Sequence, residues 1–194
     1  RSVMFDTVLV ANRGEIACRI IRAVHALGMR AVAVYSDADR AAPHVTMADD
    51  SRYIGEGPAR KSYLDIDKLL EAAKDSGAGA IHPGYGFLSE NADFARRVEA
   101  EGMVFVGPTP EQLEQFGSKD SARALAREAG VPLLPGTELL PSADEAVAAA
   151  VGIGLPVMVK AASGGGGIGM HACFTADEVR DSFDRVSRIA AENF

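Results

Sequence analysis

A lysine carried by an apolar run to the mouth of a four-glycine loop is an arrangement suited to phosphate. Val157-Met158-Val159-Lys160 leads through Ala161-Ala162-Ser163 into Gly164-Gly165-Gly166-Gly167, and Ile168-Gly169-Met170 opens a second strand-like run. Without a Cβ, consecutive glycines can bring bare N–H groups up to an anion, while Lys160 adds a compact positive charge. A nucleoside triphosphate is the guest this pattern favours, with Lys160, Gly164, Gly165, Gly166 and Gly167 as candidate cofactor-binding residues. The order differs from the P-loop, in which the lysine follows the glycines and a helix follows the lysine. Here the lysine comes first and strands lie on both sides, so the loop reads as a hairpin lid. A flexible hairpin tip explains a glycine run equally well, so the surrounding elements must decide.

Composition narrows the classes. The chain has 194 residues, 47% apolar and 24% charged, enough to bury the core of one large domain or of one domain and a smaller partner. A formal charge of −7, no Trp and scattered Lys and Arg disfavour nucleic acid and polybasic membrane contacts. Cys18 and Cys173 are far apart and lack metal-ligand spacing, which predicts two buried thiols in a reducing compartment. Apolar runs are shorter than the ~20 residues of a membrane span, and no signal-peptide core precedes the first strand. The expectation is a cytoplasmic protein with no membrane partner.

From Phe5 to Val106 strand and helix patterns alternate. The short, nearly all-apolar run 5–11 suits a strand buried on both faces of a parallel sheet. Ile16, Ile20, Ile21, Val24 and Leu27 then form one helical stripe. Further strands are expected at 31–35, 51–54, 80–82 and 104–106, with helices over 64–76 and 91–101. This alternation predicts an α/β fold with a Rossmann-like, mostly parallel sheet. The first turn, Ala11-Asn12-Arg13-Gly14-Glu15, lacks the glycine triplet of a dinucleotide site, so a nicotinamide-dependent oxidoreductase is disfavoured. Asp37 and Asp39, near the ribose-binding position, are read as solvated loop carboxylates. Asn12, Arg13 and Glu15 are expected to knit the first turn to neighbouring strands. His82, Tyr85, Glu90 and Asn91 are read as structural, with Gly84 and Gly86 in tight turns.

Past Gly107, Thr109-Pro110-Glu111-Gln112 carries an N-cap threonine, an N1 proline and a capping-box glutamine. A helix over 118–129 follows, then a connector containing Pro132, Pro135, Gly136 and Pro141. Ser142 and Thr175 open two further helices by the same capping pattern, one on each side of the Lys160 hairpin.

Four segments together resemble the start of a biotin carboxylase: Val10-Ala11-Asn12-Arg13-Gly14-Glu15-Ile16-Ala17, Ala48-Asp49-Asp50, Ile81-His82-Pro83-Gly84-Tyr85-Gly86-Phe87-Leu88-Ser89-Glu90-Asn91, and the Lys160 loop. The resemblance implies a biotin carboxylase N-terminal (pre-ATP-grasp) domain over 1–117, a helix and linker entering the ATP-grasp fold over 118–141, and a partial ATP-grasp lid over 142–194. It implies ATP and bicarbonate as substrates, carboxyphosphate as their product, and capture of the released carbon dioxide by biotin on a carrier domain. Lys119 resembles a lysine on the nucleotide phosphates, Lys160 the lid-strand lysine, and Gly166 and Gly167 the loop positions closing over the terminal phosphates. Partners implied are biotinyl carrier and carboxyltransferase domains and a homo-oligomer. The family's Mg2+ carboxylates and its bicarbonate and biotin residues are expected beyond Phe194, so no catalytic or metal-binding residue is assigned within this fragment, which alone is expected to be inactive. Ile168 stands where many acyl-CoA and pyruvate carboxylases carry a basic residue, and Gly-Gly-Gly-Gly-Ile-Gly is more similar to urea carboxylase and urea amidolyase. Urea carboxylase is therefore preferred, with an acyl-CoA or pyruvate carboxylase, or an inert α/β scaffold, as the alternatives.

Overall fold

The computed structural model describes residues 5–117, 119–161 and 170–193. The chain divides into two compact units, 1–114 and 115–194.

In the first unit, strands β1 (Thr7–Val10), β2 (Arg30–Ser36), β3 (Asp50–Gly55), β4 (Ala80–His82) and β5 (Val104–Phe105) form one sheet in the order β3-β2-β1-β4-β5. Every neighbouring pair is parallel. Alternation decides which side chains face which layer. Val8 and Val10 of β1 and Ala31 of β2 pack with Ala17, Ile20, Ile21 and Val24 of helix α1 (Gly14–Ala26). Leu9, Val32 and Val34 point the other way, toward Leu69, Leu70 and Ala73 of α3 (Ile66–Ser76) and Phe94, Ala95 and Val98 of α4 (Ala92–Ala100). The sheet is thus covered on both faces, which is why its central strand is buried at every position. A short helix α2 (Pro43–Met47) and 3-10 turns at Asp37–Asp39 and Ala59–Lys61 were not expected from the sequence. Asp65 and Asn91 cap α3 and α4 by accepting from the N–H groups of Lys68 and Phe94.

Helix α5 (Pro110–Gly117) begins with the reciprocal capping box: Thr109 Oγ1 accepts from Gln112 N, and Gln112 Oε1 accepts from Thr109 N. The second unit contains α6 (Lys119–Glu128), α7 (Ala143–Ile153), the antiparallel pair β6 (Val157–Lys160) and β7 (Met170–Cys173), and α8 (Ala176–Asn193). The Pro132–Pro141 connector lies inside this unit. Its core joins Ala146 and Ala150 of α7, Cys173 of β7 and Val179 of α8, with Val157, Val159 and Phe183 packed against them. Cys173 is buried as expected, whereas Cys18 is only half-buried, because it sits at the margin of the apolar stripe of α1.

Candidate functional site

Strand β1 has β2 on one side and β4 on the other, so the chain direction of the crossovers reverses between β1 and β4. Open α/β sheets place ligands at the carboxyl ends of the strands flanking such a switch point. The loops there are Ala11–Arg13 and Pro83–Phe87. Asn12, almost fully buried, donates from Nδ2 to the carbonyls of Pro83 (2.7 Å) and Tyr85 (2.9 Å), while its Oδ1 accepts from Arg13 N. Gly84 has φ +67, and a Cβ there would lie 2.8 Å from Asn12 Nδ2, so the turn and the asparagine fit only as a pair. His82 Nδ1 accepts from Gly84 N at 3.1 Å, and burial holds the imidazole pKa below its ordinary value. These hydrogen bonds knit the first turn to the turn after β4. An open cavity of about 250 Å³ lies beside the two loops, with Asn12, Arg13, Glu15, Tyr85 and Phe87 among its walls.

Asp39 is not the solvated carboxylate the sequence suggested. Its Oδ2 accepts from Tyr63 OH (2.7 Å), Ser36 Oγ (2.9 Å) and Arg13 Nη1 (3.1 Å). Burial acts to raise its pKa, but these donors together outweigh it and hold the carboxyl below the usual range. Burial and the Asp39 carboxylate push the Tyr63 phenol far up. Asp37 is half exposed, as expected of a loop carboxylate, yet it accepts from Tyr53 OH and pairs with Arg40.

In the second unit the β6–β7 hairpin has two unlike faces. Val157 pairs with Cys173 and Val159 with His171, and both valines pack toward α7 and α8. Met158, Lys160 and Met170 occupy the opposite face and are exposed, with Lys160 directly across from Met170. Among the described residues Lys160 has no carboxylate partner. A lysine beside two thioethers on an uncovered sheet face can meet a phosphate with one and a flat ring with the others. The methionines were not singled out from sequence, although the strict alternation of Val157-Met158-Val159-Lys160 contained the signal. Lys119 is the first residue of α6. Gly164, Gly165, Gly166 and Gly167 lie outside the described residues.

A doubly covered parallel sheet, followed by a helix-backed hairpin bearing a lysine, is the architecture of an ATP-grasp-type α/β protein. Residues 4–113 match the model of the family described as biotin carboxylase, N-terminal domain, and residues 118–194 match carbamoyl-phosphate synthase L chain, ATP binding domain. The chain belongs to the biotin carboxylase family. It is 49% identical over 192 residues to the propionyl-CoA carboxylase alpha chain of Ruegeria pomeroyi, covering 98% of this chain and 28% of that one. It is 51% identical over 181 residues to a putative urea carboxylase of Emericella nidulans, covering 93% of this chain and 14% of that one. The crystal structure of the biotin carboxylase domain dimer of Hydrogenobacter thermophilus 2-oxoglutarate carboxylase, in complex with MgADP, ADP and bicarbonate, superposes with a TM-score of 0.90 at 43% identity, covering 99% of this chain and 42% of that one. The chain thus spans less than half the length of each of these relatives.

Proposed function

We propose that this chain supplies the front end and phosphate-facing lid of a biotin carboxylase that uses ATP and bicarbonate to carboxylate biotin on a carrier domain. The observation that carries this reading is Lys160, exposed and without a carboxylate partner among the described residues, at the end of β6 where the glycine loop begins. In this reading Lys160 and Lys119 hold phosphate oxygens of the nucleotide. On the same reading the N–H groups of Gly166 and Gly167 close over its terminal phosphates, Gly164 and Gly165 are further cofactor-binding positions of the same loop, and Met158 and Met170 meet its base. The domain assignment is 1–117, 118–141 and 142–194 as above. Among the described residues no cluster of three or more His, Cys, Asp or Glu is arranged to hold a metal. Carrier and carboxyltransferase domains, and a second copy of the chain, are its proposed partners in the cytoplasm. No described helix is long and apolar enough to cross a membrane. The Gly-Gly-Gly-Gly-Ile-Gly run and the Emericella nidulans relative favour urea as the final acceptor, which urea-dependent against propionyl-CoA-dependent ATP hydrolysis by the whole polypeptide decides.

Lys160→Ala in the polypeptide with its complete ATP-grasp fold tests the nucleotide assignment. A charge-assisted contact is worth ~1.5–3 kcal/mol, or about ten- to hundredfold in ATP affinity or rate. Lys61→Ala is the control, because Lys61 lies in the other unit and pairs with Glu56 at 2.8 Å on the surface. Equal losses in the two variants would remove the assignment.

A further inference from the structure

Three segments far apart in sequence converge on one carboxylate oxygen. Asp39 Oδ2 receives the hydroxyls of Ser36 and Tyr63 and the guanidinium of Arg13, and the Tyr63 hydroxyl oxygen in turn accepts from Ser36 N at 3.2 Å. The buried Tyr63 ring lies flat against Phe87, with centroids 5.0 Å apart and planes 8° from parallel. The Arg13 guanidinium lies over both rings, 5.3 Å from the Tyr63 centroid and 5.6 Å from the Phe87 centroid. Among the described residues Phe87 is the one non-glycine with positive φ, at +43°. A bulky side chain in that conformation is strained and persists only where its surroundings hold it. Those surroundings include the core side chains that Phe87 packs against, Tyr63 among them, and Arg13, and Asp39 holds both Tyr63 and Arg13. Arg13 and Phe87 line the sheet-end cavity, whereas Asp39 and Tyr63 stand behind it.

We infer that Asp39 is a positioning residue: its carboxylate locks Arg13 and Tyr63, and these keep Phe87 and the 83–87 turn in the shape that walls the cavity at the sheet's switch point. The carboxylate is needed because all three neighbours donate to one oxygen; an amide offers a weaker acceptor and an N–H group with no vacant acceptor to meet. Asn12 braces the same turn from its other side through the carbonyls of Pro83 and Tyr85, so the turn is held at both flanks. The link from this turn to turnover rests on the biotin carboxylase reading; the link from Asp39 to the turn does not.

The experiment therefore has two arms. In the first, Asp39→Asn is compared with wild type by residue-resolved amide exchange. The amides of Gly84, Ser89 and Asn91, bonded respectively to His82 Nδ1, Gly86 O and Leu88 O, should exchange about tenfold faster while those of α1 and α3 keep their protection. Unchanged exchange at 84–91 overturns the inference.

In the second arm the whole polypeptide is assayed for bicarbonate-dependent ATP hydrolysis. Asp39→Asn should lower kcat about tenfold with KM for ATP within about twofold of wild type, because misplacing a wall of the site costs turnover without touching the nucleotide contacts. Asp39→Glu should recover part of the loss, and Asp37→Asn should change neither constant. Arg13→Lys, which keeps the charge but loses the guanidinium placed over two rings, should reproduce the kcat loss if Asp39→Asn proves too unstable to assay. A kcat equal to wild type in both variants overturns the positioning role. Absence of bicarbonate-dependent hydrolysis in wild type refutes the proposed function instead, and the first arm then decides alone whether Asp39 holds the turn.

Discussion

Replacing Gly84 by alanine separates two costs that are usually entangled. The residue has φ +67, and its added Cβ would lie 2.8 Å from Asn12 Nδ2, 3.2 Å from Asn12 Cγ and 3.2 Å from Ile16 Cγ1. Gly77, behind α3, has almost the same φ of +70, yet a Cβ there would meet nothing within 4 Å. Gly77→Ala should therefore cost only the left-handed conformation, about 1–2 kcal/mol. Gly84→Ala should cost that and also push Asn12 off the carbonyls of Pro83 and Tyr85, two hydrogen bonds worth about 1 kcal/mol each. The difference between the variants, about 2 kcal/mol, corresponds to a gap of roughly 4–8 °C in Tm for a chain of this size. Thermal and urea unfolding of the chain followed by circular dichroism measures it. In the Asn12→Ala background the gap should shrink, since the group being pushed is gone. Equal Tm values for Gly77→Ala and Gly84→Ala would refute the argument that the turn and the asparagine are fitted to each other.

The remaining predictions concern pH and helix caps. His82 has a depressed folded pKa, so the unfolded chain binds the extra proton first, and stability should begin to fall as pH drops through the ordinary histidine value of about 6.5. His82→Asn, whose side-chain oxygen can still accept from Gly84 N, should flatten this limb of a pH–stability curve measured by urea midpoint. Asp39, Asp49 and Asp50 are also depressed, Asp39 by its hydrogen-bond donors against an opposing desolvation, Asp49 first by Ala31 N and then His25, and Asp50 first by Arg52. Their contribution is present above about pH 4 and lost as pH falls through their lower folded values, so a second, steeper limb should survive in His82→Asn. Asn91→Ala removes the cap of α4 and should cost about 1 kcal/mol, a fall of roughly 2–4 °C in Tm. Asn91→Asp should restore most of it.

What could be read in advance divides along physical lines. The α1 stripe and the alternation of β6 are local periodicities, and their elements lie within a residue or two of expectation. Thr109 and Gln112 cap each other because both partners sit within one turn. At Thr175 the pattern was only half right: Thr175 Oγ1 accepts from Glu178 N, but Glu178 reaches back to the N–H of Phe174 instead of Thr175. Helix α2 was missed because five residues from Pro43 to Met47 are too few to show a stripe. Asp39 was misread for a deeper reason. Its partners come from Arg13, Ser36 and Tyr63, and only tertiary folding brings the first and last of these to the end of β2. On the candidate site, a strand ending at Lys160 could be read from the apolar run before it, whereas the Phe87 turn depends on stacking partners no local pattern reveals.

The strand order also dictates how this sheet can grow. Its central strand, β1, is the earliest of the five in chain order; β2 and then β3 add outward on one side, and β4 and then β5 on the other. A chain emerging from the ribosome never has to insert a strand between two already paired, so each addition extends a finished edge. The interval between β3 and β4 is the vulnerable one. Until Ala80–His82 emerges, the edge of Val8-Leu9-Val10 is open and apolar, the profile of a template for another chain. Any polypeptide halted in that interval, by truncation or by a stalled ribosome, should associate through β1, whereas one that includes β4 and β5 has that edge filled.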